Sequence, residues 1–132
     1  MANRSFHRPL GSLEIDVVTL FGTITIGASG AVSASTGKGI TSVTNNSTGK
    51  YTVLLADTYN GFLWADGIVL DDTNSDPVSV GVVPRLFSQD VASLTAPVVI
   101  LQFYDVAGGE VANPASGAVV YFKIDLRNST LT

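Results

Sequence analysis

Apolar and polar side chains alternate with a period of two over residues 117–127 of the chain. One face of this stretch consists of Val120, Phe122, Ile124 and Leu126. The other face consists of Val119, Tyr121, Lys123, Asp125 and Arg127. Because successive side chains of a strand point to opposite sides of a sheet, this pattern predicts a half-buried β-strand.

The rest of the chain follows the same rule, and no stretch of it has the helical period. The pattern predicts further strands at 14–26, 31–36, 40–44, 51–55, 62–70, 78–83 and 98–104. Residues 45–50, rich in Asn and Gly, predict a hairpin between two of them. Pro84 is expected to end the strand before it, and residues 86–94 are ambiguous. About eight short strands without helices predict an all-β fold, a single antiparallel β-sandwich or barrel-like domain.

Two local features add detail to these strands. Gly22 lies inside the first one and marks either a β-bulge or a point of close approach. The continuous apolar stretch 98–104 predicts a strand that is buried on both faces or lies at an interface.

The first thirteen residues interrupt the strand pattern and predict an extended N-terminal arm, which leaves residues 14–132 as a single β-domain. Pro9 opposes regular structure, and Gly11-Ser12 is typical of a hinge. One interpretation is a frayed terminus, and the other is an arm that docks on a neighbouring subunit. The residues expected to bind the partner are Arg4, Phe6, His7, Arg8 and Leu10.

Composition narrows the classes of function. Only 14% of the 132 residues are charged, against about 25% in an average domain, so we expect a partner or further copies of the chain to cover part of the surface. Seven scattered basic residues and a net charge of −4 argue against nucleic-acid binding. The apolar stretches are too short to cross a membrane, and the N-terminus lacks the apolar region of a signal peptide. Because there is no cysteine, disulfides and thiolate metal sites are excluded.

Motifs for catalysis or cofactor binding are incomplete. Gly37-Lys38 and Gly49-Lys50 lack the first glycine and the Ser or Thr of a phosphate-binding loop. The loop Asp71–Asp76 has the spacing of the first EF-hand ligands, but Pro77 replaces the glycine that the motif needs, so only a looser ion site stays open. The single histidine lies in the predicted arm. We therefore expect no catalytic residues, no metal, no cofactor and no enzymatic activity.

Aromatic side chains suggest one alternative function. Tyr59 and Trp64 flank Asn60-Gly61, and exposed Trp and Tyr side chains can stack on sugar rings. A lone tryptophan in a β-domain belongs more often to the core. These two residues therefore leave open a function in binding sugars.

Several short phrases of the sequence carry a family resemblance. They are Gly11-Ser-Leu-Glu after the arm, Gly39-Ile-Thr-Ser-Val-Thr, Ser47-Thr-Gly-Lys-Tyr-Thr-Val, Asp57-x-Tyr-Asn-Gly, Ala112-Asn-Pro-Ala-Ser-Gly and Leu126-Arg-Asn-Ser. Together they resemble small virion structural proteins of tailed bacteriophages, especially those that decorate or cement capsids.

The resemblance implies an all-β protein, commonly a homotrimer, that binds between major capsid protein subunits. Such a protein is made in the host cytoplasm and ends on the capsid surface of the virion. The family offers no catalytic residues. The predicted outward face of the last strand fits this picture, because Val119 and Tyr121 are apolar at the end where a self-association face would lie, and the face becomes polar toward Arg127. For a phage protein, the possible sugar contacts of Tyr59 and Trp64 give the alternative hypothesis, a tail-fibre or receptor-binding domain that recognises host surface glycans.

Overall fold

The computed structural model describes residues 16–70 and 82–128, and within them the chain forms eight β-strands. Their bounds are β1 Val17–Ile26, β2 Val32–Thr36, β3 Ile40–Ser47, β4 Lys50–Leu55, β5 Gly61–Leu70, β6 Val82–Asp90, β7 Val98–Asp105 and β8 Val119–Arg127. They form two four-stranded sheets with the orders β2-β1-β8-β5 and β3-β4-β7-β6. Each pairing is antiparallel. The expected all-β antiparallel fold is confirmed, with two facing sheets.

The core lies between these two sheets, here called the β1–β8 sheet and the β4–β7 sheet after their central strands. Side chains of alternate positions point into it, as a strand period of two requires. The fully buried ones include Ile24, Ile26, Tyr51, Val53, Val99, Leu101, Phe103, Val120, Ile124 and Leu126. Phe122 is also buried, so the predicted inward face of β8 is confirmed.

Phe122 lies in the centre of its sheet between two glycines. Gly22 of β1 and Gly67 of β5 are its direct neighbours on either side. A Cβ atom added to Gly22 would clash with the Phe122 ring and would lie 2.7 Å from Cδ1 of Ile40. The β1–β8 register passes through Gly22 without a shift. Gly22 is therefore a point of close approach and not a bulge.

The β3–β4 hairpin is confirmed, and its turn is tighter than the sequence predicted. Asn45 pairs with Tyr51, and Ser47 pairs with Lys50, so only Thr48 and Gly49 remain in the turn. Gly49 has a φ of +69°, which a glycine adopts without steric cost.

The expectation that Pro84 ends a strand is wrong. Pro84 lies inside β6 opposite Phe103 of β7, and β6 continues to Asp90 through much of the ambiguous stretch. In the described part of the chain, β6 pairs only with β7. Because one side of an edge strand needs no backbone partner, such a strand tolerates a proline.

The Thr52 hydroxyl oxygen is buried and has no hydrogen-bond partner within residues 16–70 and 82–128. Replacing Thr52 with valine keeps the shape and removes the unsatisfied group, so we expect the free energy of unfolding to rise by about 1 kcal/mol. Urea denaturation measures this change. Thr44→Val is the matched control, because Thr44 lies directly opposite in β3 and is exposed. A loss of stability in Thr52→Val would show that the hydroxyl has a partner after all.

Candidate functional site

Large apolar side chains are exposed on the outer face of the β1–β8 sheet. Phe21 is 67% exposed, Ile68 69% and Tyr121 45%. Ile68 lies directly opposite Tyr121, and Leu70 lies opposite Val119 on the same two strands. Phe21 lies opposite Lys123, one step diagonal from Tyr121. These five residues, Phe21, Ile68, Leu70, Val119 and Tyr121, are called the apolar patch below.

The apolar patch is as large as the apolar patches that often serve binding on soluble proteins. An aromatic side chain has about 150–250 Å² of surface, so the exposed fractions leave roughly 400–500 Å² in the patch, within the range in which such patches often serve binding. A shallow groove of about 280 Å³ runs through it and is lined by Phe21, Ile68 and Tyr121, with Asp66 and Lys123 at its polar side. The groove gives a partner side chain a place to insert.

A polar band borders the apolar patch. Thr19 Oγ1 donates a hydrogen bond of 2.6 Å to Asp125 Oδ1, and Lys123 Nζ lies 3.0 Å from Asp125 Oδ2. Partial burial by itself would raise the pKa of Asp125, but the Thr19 hydrogen bond and the Lys123 ammonium outweigh it, so the pKa lies below its usual value. Asp66 lies opposite Lys123 and completes the band.

The outward face of β8 thus changes from apolar to polar along the strand, as its sequence indicates. Val119 is half-buried and Tyr121 is exposed, and both have apolar neighbours on β5. Lys123 and Asp125 follow within the polar band. That a partner covers Val119 and Tyr121 stays a prediction.

The two aromatic residues suggested for glycan contact lie in different environments. Trp64 is 58% exposed opposite Asp125, so its interpretation as a core residue is wrong. Tyr59 is only 8% exposed, and burial together with the nearby Asp57 carboxylate raises its pKa. Tyr59 lines the wall of a depression of about 420 Å³ with Val18 and Asn128, among others. Trp64 is the side chain of this pair that can stack on a ligand.

Asn113 organises the end of the sandwich nearest the β3–β4 turn. Its Oδ1 accepts the Gly49 N–H at 2.6 Å, and its Nδ2 donates to the Ser29 carbonyl at 3.2 Å. The Tyr51 hydroxyl donates to the Gly30 carbonyl at 2.7 Å beside it, and burial raises the pKa of Tyr51. Sequence reasoning did not single out Asn113. The sequence feature that could have pointed to Asn113 is its position before Pro114 in a long loop.

The described residues do not bring together a reaction centre. Across 16–70 and 82–128, no group of three His, Asp or Glu side chains could hold a metal ion. Those same stretches contain no helix of the length and hydropathy needed to cross a membrane. The arm residues Arg4, Phe6, His7, Arg8 and Leu10 and the loop Asp71–Asp76 lie outside the described residues, so the predictions for them stay predictions.

No protein-family model, curated protein or solved structure matches the chain.

Proposed function

We propose that the protein is a non-enzymatic structural protein of a phage virion that decorates or cements the capsid by binding between major capsid protein subunits. The apolar patch is the single observation that carries the proposal. The largest apolar patch of a soluble protein is often functional, and a patch with a polar border is typical of a protein interface.

The apolar patch could drive self-association and capsid binding by the same physical effect. Burying it removes apolar surface from water, which is the main driving force of protein association. The polar band of Thr19, Asp66, Lys123 and Asp125 lies beside the patch, where the rim of an interface remains accessible to solvent. In a homotrimer the patch of each copy would face a neighbour, and the opposite sheet would stay free for other contacts.

Copy number in purified virions tests the proposal. We expect a copy number comparable to that of the major capsid protein, measured by quantitative mass spectrometry of gradient-purified particles. Washing the particles in high salt should leave the protein bound, because apolar burial is not screened by salt. Absence from the particle, or only a few copies in it, would overturn the proposal.

Exposure of Trp64 favours a second candidate, a receptor-binding domain for host surface glycans. The indole lies beside the hydrogen-bonding groups of the polar band, and stacking together with hydrogen bonding is how sugar rings are held. Glycan-array binding that is lost in Trp64→Ala and kept in Phe21→Ala would support this function. Phe21 is a matched control as an exposed aromatic on the same face. Absence of binding, or equal binding by both variants, would exclude it.

A further inference from the structure

The outer face of the β4–β7 sheet has a different chemistry from the apolar patch. Lys50 of β4 lies directly opposite Gln102 of β7, and Gln102 lies directly opposite Arg85 of β6. The three residues form one row across three strands, called the basic row below. Because neighbouring strands are about 4.8 Å apart, the Cα atoms of the two cationic residues are separated by about 10 Å.

An aromatic ring holds each cation of the basic row in place. Lys50 Nζ lies 3.9 Å from the centroid of the Phe87 ring, and Arg85 Cζ lies 4.9 Å from the centroid of the Tyr104 ring. The Tyr104 hydroxyl also donates a hydrogen bond of 2.7 Å to Oε1 of Gln102. Gln102 is only 6% exposed although it lies on an outer face. Each member of the row thus contacts an aromatic side chain of the same sheet.

Neither cation of the basic row forms an ion pair with a carboxylate of the described stretches. Contact with a ring face leaves the in-plane N–H groups of a guanidinium free to donate, so Arg85 can still bind a carboxylate in two parallel hydrogen bonds. Arg85 is exposed and Lys50 is half-buried, so an incoming ligand can reach both.

We propose that the basic row binds an acidic segment of a partner protein, with one carboxylate on Arg85 and a second on Lys50. Alternate residues of an extended segment lie about 7 Å apart, which is less than the separation of about 10 Å between the Cα atoms of Lys50 and Arg85. Flexible Lys and Glu side chains span the difference. Two positive charges that have no carboxylate partner among residues 16–70 and 82–128 are complementary to such a segment. This site lies on the sheet opposite the apolar patch and does not depend on the proposed virion role.

Other polyanions fit the basic row less well. The ring faces of Phe87 and Tyr104 that meet the two cations are already in use, which removes them as stacking platforms for a base or a sugar ring. Nucleic-acid binding also draws on several phosphate contacts, and the row supplies two cations.

The test is a titration of the full chain with hexaglutamate, followed by NMR of labelled protein. We expect saturable shifts of the Gln102 side-chain amide and the Arg85 Nε–H, and none with hexaglutamine. Arg85→Gln should raise the Kd by about tenfold or more, since a charge-assisted pair is lost. Lys38→Gln is the matched control, because it removes one charge from an exposed turn residue and should leave the Kd unchanged.

A second variant and a second ligand keep the result decisive. Arg85→Lys keeps the charge without the two-pronged donor, so it should bind hexaglutamate with a Kd between those of the wild type and Arg85→Gln. Failure of hexaglutamate to shift the row, or equal weakening by Lys38→Gln, would overturn the proposal. Saturation by a heparin hexasaccharide but not by hexaglutamate would also overturn it, in favour of an acidic glycan. Virion copy number has no bearing on any of these outcomes.

Discussion

Replacing Ile68 with aspartate is expected to weaken self-association of the protein by about a hundredfold or more while the sandwich stays folded. Ile68 is exposed in the single chain and contributes nothing to the core, so folding does not depend on it. In an interface built on the apolar patch the new carboxylate would be buried without a partner, which is costly. Sedimentation velocity over a range of concentrations measures the association constant, and circular dichroism checks the fold.

Leu94→Asp is the matched control for this experiment. Leu94 is 89% exposed and lies between β6 and β7, away from the patch, and the substitution changes hydrophobicity and charge in the same way. It should leave association unchanged. Equal association of Ile68→Asp and Leu94→Asp would contradict the docking role of the patch. If the wild type proves to be a monomer, equal capsid decoration by the wild type and Ile68→Asp would contradict it too.

The second large effect is expected at Gly22. Alanine there should lower the free energy of unfolding by about 2–3 kcal/mol, because the added methyl group overlaps the Phe122 ring in a packed core. For a domain of this size that corresponds to a decrease of roughly 10 °C in Tm. Differential scanning calorimetry and urea denaturation measure the two quantities.

Gly61→Ala provides the control for Gly22→Ala. A Cβ on Gly61 would meet Cβ of Arg127 at an ordinary 3.6 Å, so stability should change little. A double-mutant cycle with Phe122→Leu adds a second check, since Gly22→Ala should cost about 1 kcal/mol less once the ring is gone. Additive effects in that cycle would show that the Phe122 ring is not what excludes a larger side chain at position 22.

The strands that sequence reasoning identified best are those with a strong local alternation. In β8 the apolar positions from Val120 to Leu126 are all buried, because a period of two puts them on one side whatever the strand pairs with. The β3–β4 hairpin was recognisable for a similar reason, since its turn chemistry is contained in a few consecutive residues.

Features that depend on strand order could not be predicted in this way. A proline interrupts a central strand but is tolerated in an edge strand such as β6. Only the sheet order shows which kind of strand β6 is. The position of Trp64 on the outer face of β5, opposite Asp125, likewise depends on the pairing of β5 with β8. The sequence shows which residues alternate but not which strands become neighbours.

The apolar patch and the basic row both depend on which strands are neighbours. Phe21, Ile68 and Tyr121 come from three strands that lie far apart along the chain, and only the β1–β8 and β8–β5 registers bring them together. Val119 and Tyr121 could be singled out beforehand because both lie in one strand. Lys50 and Arg85 could not be assigned to one site from the sequence, since nothing local indicates that Gln102 will lie between them.

The pairing of Val17 with Arg127 has a practical consequence for engineering. The chain enters β1 and leaves β8 at neighbouring positions, at one end of the two central strands of the sheet. The apolar patch lies toward the other end of the same strands, around Val119 and Leu70. A fluorescent protein or an antigen joined beside Val17 or Arg127 would be attached at the end of these strands that lies away from the apolar patch, so these two adjacent positions suit display.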